Sequence, residues 1–132
     1  MFFWVRIKIM ILSGLLLILD RLIKVLALKG GLEIYKNKSL FFLNINQKWL
    51  VLGVGSLLIV LIIQFIKSWK NQDKYLSIGF LMIILGGLSN VFDRIVYGYV
   101  IDMINFFSFS VFNIADVMII GGCVLICGKI MG

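Results

Sequence analysis

The chain has 132 residues, 62% of them hydrophobic, no proline and a mean hydropathy of +1.12. That is too apolar for a soluble domain of this size and reads as one integral membrane domain. Thirteen Lys+Arg against six Asp+Glu give a net charge of +7, but the charges flank apolar runs, where they anchor to lipid headgroups, and form no basic stripe for nucleic acid.

The first apolar run extends from about Ile7 to Leu28 and is interrupted by Asp20, Arg21 and Lys24. Its unbroken core, Ile9 to Leu19, with Arg6 and Lys8 ahead of it, imitates a secretory signal peptide. No small-x-small cleavage site follows, and three more apolar segments do, so an uncleaved span is expected. The next loop, Lys29 to Lys48, carries Leu32-Glu33-Ile34-Tyr35 and Leu40-Phe41-Phe42-Leu43, which are candidates for short strands or for a segment lying on the headgroups. Further spans are expected over residues 49–66, 76–96 and 112–130, each with about the 20 residues that cross the hydrocarbon at 1.5 Å per residue. Between the last two lies Gly98 to Ser110, rich in aromatics (Tyr99, Phe106, Phe107, Phe109) as at a membrane interface. Cys123 and Cys127, spaced i, i+4, read as small apolar side chains of the last helix; with no histidine in the chain, no metal site or cofactor is expected. The expected fold is an all-α integral membrane protein, a monomeric four-transmembrane-helix bundle. It forms a single domain over residues 1–132, with a small extracytoplasmic β or interfacial element in the first outer loop.

Orientation follows from the basic flanks. With a cytoplasmic N-terminus the inside collects Arg6, Lys8, Lys67, Lys70, Lys74 and Lys129, and the outside Lys29, Lys36, Lys38 and Lys48. The loop between the third and fourth spans has neither Lys nor Arg, which favours both termini inside. Asp20 then lies roughly 20 Å from the inner end of the first span at 1.5 Å per residue. Asn90, Asp93 and Arg94 fall in the last turns of the third span, Asp102 just beyond it, and Asn113 and Asp116 open the fourth. All seven therefore sit near the outer boundary.

Helical spacing groups them further. Asp20 and Lys24 are i, i+4, an ion pair that either staples the first helix or serves a site; Asn90, Asp93 and Arg94 share one face, as do Asn113 and Asp116. Facing lipid would leave them unsatisfied, so each set must turn inward or toward water. Gly86-Gly87, one turn before Asn90, would let a neighbouring helix approach closely. Asp93, next to Arg94, reads as an orienting group held by a salt bridge or hydrogen bond, whereas Asp102 and Asp116 have no base near them in sequence. Taken alone, Asn113 and Asp116 could be a plain helix cap and a first-turn acid. Two carboxyls held together share a proton, and such a pair can activate water and polarise a peptide carbonyl without metal or histidine. Proton relays use the same residues, so a small proton-coupled transporter subunit and a structural membrane subunit remain alternatives.

Three phrases carry a resemblance: Gly86-Gly87-Leu88-Ser89-Asn90-Val91-Phe92-Asp93-Arg94, Gly98-Tyr99-Val100-Ile101-Asp102-Met103-Ile104 and Phe112-Asn113-Ile114-Ala115-Asp116. Their order and spacing resemble the lipoprotein signal peptidases (signal peptidase II), and Asp20-Arg21-Leu22-Ile23-Lys24 is similar to that family's Asp-x-x-x-Lys motif. The resemblance implies Asp102 and Asp116 as a catalytic dyad, with Asp20, Lys24, Asn37, Asn90, Asp93, Arg94 and Asn113 supporting it or contacting substrate. Asn37 and Phe42 match the family's Asn-x-Gly-x-Ala-Phe phrase, but Ser39 and Phe41 stand at its glycine and alanine. The implied partners are membrane lipid and lipid-modified prolipoproteins, cut before a diacylglyceryl cysteine at the outer face of the bacterial cytoplasmic membrane.

Overall fold

The structure, a computed structural model, describes residues 2–38, 46–107 and 110–132. Four helices account for most of it: α1 Phe2–Leu26, α2 Gln47–Lys70, α3 Lys74–Tyr97 and α4 Ile114–Met131. Among the described residues α2, α3 and α4 are long and apolar enough to cross a membrane; α1 carries Arg6, Lys8, Asp20, Arg21 and Lys24. Large apolar side chains such as Trp4, Leu12, Leu15, Trp49, Leu52 and Ile59 are exposed, while Asp20, Lys24, Asp93, Asp102 and Asn113 are buried. That reversal of the soluble pattern is the signature of a membrane-embedded protein, whose apolar exterior meets lipid.

Each helix ends for a local reason. α1 unwinds through Ala27–Gly31, where Gly30 takes a left-handed φ of 86°. The Asn46 side chain caps α2, accepting from the Lys48 N–H at 3.0 Å, and Asp73 caps α3, accepting from the Leu76 N–H at 3.0 Å. α3 stops at Gly98, whose left-handed φ of 76° favours a residue without Cβ and turns the chain straight into the next strand.

The helices pack closely where glycines remove side chains. A Cβ on Gly86 would meet the Ala115 carbonyl oxygen at 2.5 Å, and one on Gly87 the Leu58 side chain at 2.8 Å, so α3 is pressed against both α4 and α2. Farther along the same pair of helices Gly79 and Gly122 face each other; a Cβ on Gly122 would lie 2.5 Å from the Gly79 carbonyl oxygen.

The molecule is mostly helical, and its connections contain more strands than the small element expected in the first outer loop. β1 (Tyr35–Asn37) pairs antiparallel with β2 (Val100–Asp102), and β3 (Ile104–Phe106) with β4 (Ser110–Phe112). Three of the four lie between α3 and α4, where no strand was expected. In the first connection the strand is Tyr35–Asn37, starting where the expected Leu32–Tyr35 segment ends. The expected segment Leu40–Leu43, with Ser39, Phe41 and Phe42, lies outside the described residues. Strands of three residues offer too little alternation to read, and the partner of β2 is some 65 residues away.

Candidate active site

At one end of the bundle α1, α3, β1, β2 and α4 each contribute polar side chains to a single network. Asp20 of α1 accepts from the Ser89 hydroxyl at 2.5 Å and, with its other oxygen, from the Ala115 backbone N–H at 2.9 Å. It thereby supplies an acceptor to a free N–H in the first turn of α4. Lys24 forms an ion pair with Asp20 at 3.0 Å and with Asp93 at 2.7 Å, and donates to Asn90 Oδ1 at 3.1 Å. The i, i+4 pair read from the sequence is thus one link of a chain crossing from α1 to α3.

Asp93 is held by Lys24 and by Arg21 Nη1 at 2.5 Å, and its Oδ2 accepts from the Ile101 backbone N–H at 3.3 Å. Its ion pairs therefore run to another helix, and its backbone contact fixes the residue next to Asp102. Asp20 and Asp93 play matching parts: one grips α4 one residue before Asp116, the other grips β2 one residue before Asp102. Lys24 binds both.

Asp102 accepts from Asn37 Nδ2 at 3.0 Å and from Asn113 Nδ2 at 2.8 Å. The β1–β2 register pairs Asn37 with Val100 and Tyr35 with Asp102, so Asn37 and Asp102 are diagonal neighbours on one face. Asp116 accepts from Asn90 Nδ2 at 2.8 Å and from the Asn113 backbone N–H at 3.1 Å, while Asn113 Oδ1 accepts from the Asp116 N–H at 2.9 Å. This capping box opens α4. Asn113 is consequently both a helix cap and a bridge between the two carboxyls, because its Nδ2 remains free to reach Asp102 and, at 3.1 Å, Asn90 Oδ1.

Burial pushes the Asp102 carboxyl up from an ordinary 3.8 to about 6, and the charge of Asp116 adds to the rise. Hydrogen bonds from Asn37 and Asn113 and the charge of Lys24 act the other way. Among the described residues no buried side-chain nitrogen or oxygen lacks a partner, and no cluster of His, Cys, Asp or Glu could hold a metal ion. A buried polar network is stable only when so completed.

All nine residues singled out in the sequence are present at this end. Asp20, Lys24, Asn37, Asn90, Asp93, Asp102, Asn113 and Asp116 interlock directly, and Arg94 approaches from the last turn of α3, donating to Gln47 Oε1 at 3.3 Å. Three participants were not singled out: Arg21, Ser89 and Gln47. Arg21 had a readable signal, since an arginine inside an apolar run needs a partner. Ser89 precedes Asp93 by one helical turn, but a serine there is unremarkable. Gln47 had no signal short of the tertiary contact.

A model of the family described as signal peptidase (SPase) II matches residues 12–131. A lipoprotein signal peptidase of Clostridium novyi is 32% identical over an alignment covering 83% of this chain and 88% of that protein. One from Escherichia coli is 36% identical over 84 residues, covering 61% of this chain and 51% of that protein, so the chain spans about half the length of that relative. Among solved structures, a bacterial membrane enzyme superposes with a TM-score of 0.82 at 22% identity, covering 94% of this chain and 87% of that one, which shows a shared fold. Residues 12–131 take in every one of the nine, and the chain belongs to the signal peptidase II family.

Proposed function

We propose that the chain is an intramembrane aspartic endopeptidase that cuts diacylglyceryl-modified prolipoproteins just before the modified cysteine, with Asp102 and Asp116 as its catalytic pair. Family membership makes it a peptidase that removes signal peptides from lipoprotein precursors. The observation that carries the assignment to these two residues is their common partner: Asn113 donates its Nδ2 to Asp102 and its backbone N–H to Asp116. Burial and the charge of Asp116 raise the Asp102 carboxyl, which favours a proton there. One proton also balances the site, where four carboxyls face three cations, Arg21, Lys24 and Arg94.

In this reading the raised Asp102 holds the proton and donates it in a hydrogen bond to the scissile carbonyl oxygen. Asp116 takes a proton from water, whose oxygen adds to the carbonyl carbon. As the tetrahedral intermediate collapses, the C–N bond breaks, the amine leaves with the proton held by Asp116, and Asp102 recovers its own. No covalent enzyme intermediate or metal takes part.

The same proposal takes all four helices as spans, with both termini cytoplasmic and the site near the outer face; the basic flanks support it. The transporter alternative has no support in the family match. Among the described residues the buried polar groups outside the site are only Ser13, Ser68 and Ser77.

The test is incubation of detergent-purified protein with a lipid-modified precursor and with its unmodified counterpart. Two fragments from the first and none from the second are expected; an intact lipid-modified precursor would overturn the reading. Topology is read in a background lacking Cys123 and Cys127. New cysteines at Glu33 and Asn105 should react with an impermeant reagent on intact cells, and one at Gln72 should not; the reverse pattern inverts the orientation.

A further inference from the structure

Arg94 and the strand carrying Asn37 approach the carboxyl pair from different elements, and Gln47 joins them. It is the first residue of α2, its backbone set by the Asn46 cap. Its Oε1 accepts from Arg94 Nη1 at 3.3 Å, and its Nε2 donates to the Lys38 carbonyl oxygen at 2.5 Å. Lys38 directly follows Asn37, the donor to Asp102. A guanidinium can only donate and a backbone carbonyl can only accept, so the side chain between them must carry an acceptor and a donor at one tip. An amide does this. A carboxylate would lose the donor, and a thioether would offer at best a weak acceptor.

We infer that Gln47 is a positioning residue, holding the Arg94 guanidinium and the end of β1 in place beside Asp102 and Asp116. The inference rests on the catalytic reading given above. It assigns the two arms of the amide different duties. The Oε1 arm steadies Arg94, on which the charges of Asp102, Asp116 and Asp93 all act, and so supports the chemical step. The Nε2 arm steadies the strand that carries Asn37 and so supports substrate binding.

Four purified proteins test this on the lipid-modified precursor: wild type, Gln47→Met, Arg94→Ala and the double variant, with Gln47→Glu as a fifth. Gln47→Met should lower kcat/KM roughly tenfold, as loss of a hydrogen bond to a charged group does. Its kcat loss should vanish in the Arg94→Ala background, while its rise in KM persists. Gln47→Glu keeps an acceptor for Arg94 and loses the donor to Lys38, so kcat should stay near wild type and KM should rise. It also serves if Gln47→Met yields no folded protein. Wild-type kinetics in Gln47→Met, multiplying kcat losses in the double variant, or an equal fall of kcat in Gln47→Glu would each overturn the inference. If the wild type cuts nothing, the catalytic reading fails instead, and melting temperatures of the same proteins decide the coupling. Sub-additive losses for Gln47→Met and Arg94→Ala support it, and additive losses overturn it.

Discussion

Both ends of the bundle have close glycine contacts between α3 and α4, but one of them adds a network of buried charged side chains. At the site end, charged and amide side chains from six elements complete one another, and ion pairs run from Arg21 and the buried Lys24 of α1 to the buried Asp93 of α3. At the other end the helices touch through small residues. Gly79 lies against Gly122, the Ser77 and Ser68 hydroxyls are 3.2 Å apart, and Arg6 donates to the Trp69 carbonyl at 2.7 Å while lying over its ring. In lipid, apolar side chains gain little from meeting each other, so close backbone approach suffices where nothing else is required. Buried charge is costly and replaceable by apolar packing. Its concentration at one end therefore points to work done there.

The sharpest way to separate the two ends is to change chemistry without changing shape. Asp102→Asn and Asp116→Asn should each abolish cleavage of the lipid-modified precursor, while each protein still inserts and runs as a folded species in detergent. The double variant should be hardly worse than either alone, because the two act as a unit. Substantial turnover by either single variant would remove the two-carboxyl mechanism. Asp73→Asn, at the other end, keeps its helix cap and should leave cleavage unchanged.

Next in size is Lys24→Met. It leaves Asp20 and Asp93 facing each other without the cation between them, and losing one partner of a buried pair costs about 3–5 kcal/mol. Thermal melting in detergent should show a large loss, and activity should fall with it because the gripped residues Ile101 and Ala115 are released. A near wild-type melting temperature would mean that the charge chain does not hold this end.

The pH dependence of stability comes third. Asp102 is raised in the folded state, so between pH 3.8 and about 6 the folded protein binds more protons than the unfolded chain. Its contribution is present below the unfolded value and is lost as pH rises to about 6, by on the order of 2–3 kcal/mol. The wild-type melting temperature should fall over that window, and the part due to Asp102 should be missing in Asp102→Asn. Identical slopes would deny the burial effect.

The smallest change concerns the other end. Gly122→Ala forces a Cβ against the Gly79 carbonyl and should cost about 1–3 kcal/mol through overpacking, with kcat per folded molecule unchanged. A selective fall in kcat would show that the two ends are coupled.

Much of the site was legible because an apolar chain makes its polar residues conspicuous. Helical spacing put Asp20 with Lys24 and Asn90 with Asp93, and the need to satisfy such groups turned each set inward. The phrases around Asp93, Asp102 and Asp116 then sufficed for the family. What spacing could not give is who answers whom across elements. Asp93 lies beside Arg94 in sequence, yet its ion pairs include Arg21 and Lys24, more than 60 residues away. Asn113 could be read as a cap, but only the folded chain puts Asp102 within reach of its free amide nitrogen.

The sequence by itself determined the membrane setting, the apolar helical segments and the family, and it made Asp102 and Asp116 conspicuous, because hydropathy, 3.6-residue periodicity and short motifs are local properties. Only the tertiary structure decided the strands in the connections, the bridging place of Lys24 and the contacts of Gln47 with Arg94 and Lys38. Each of those depends on hydrogen bonds between residues distant in sequence, and such partners are chosen by how the helices pack.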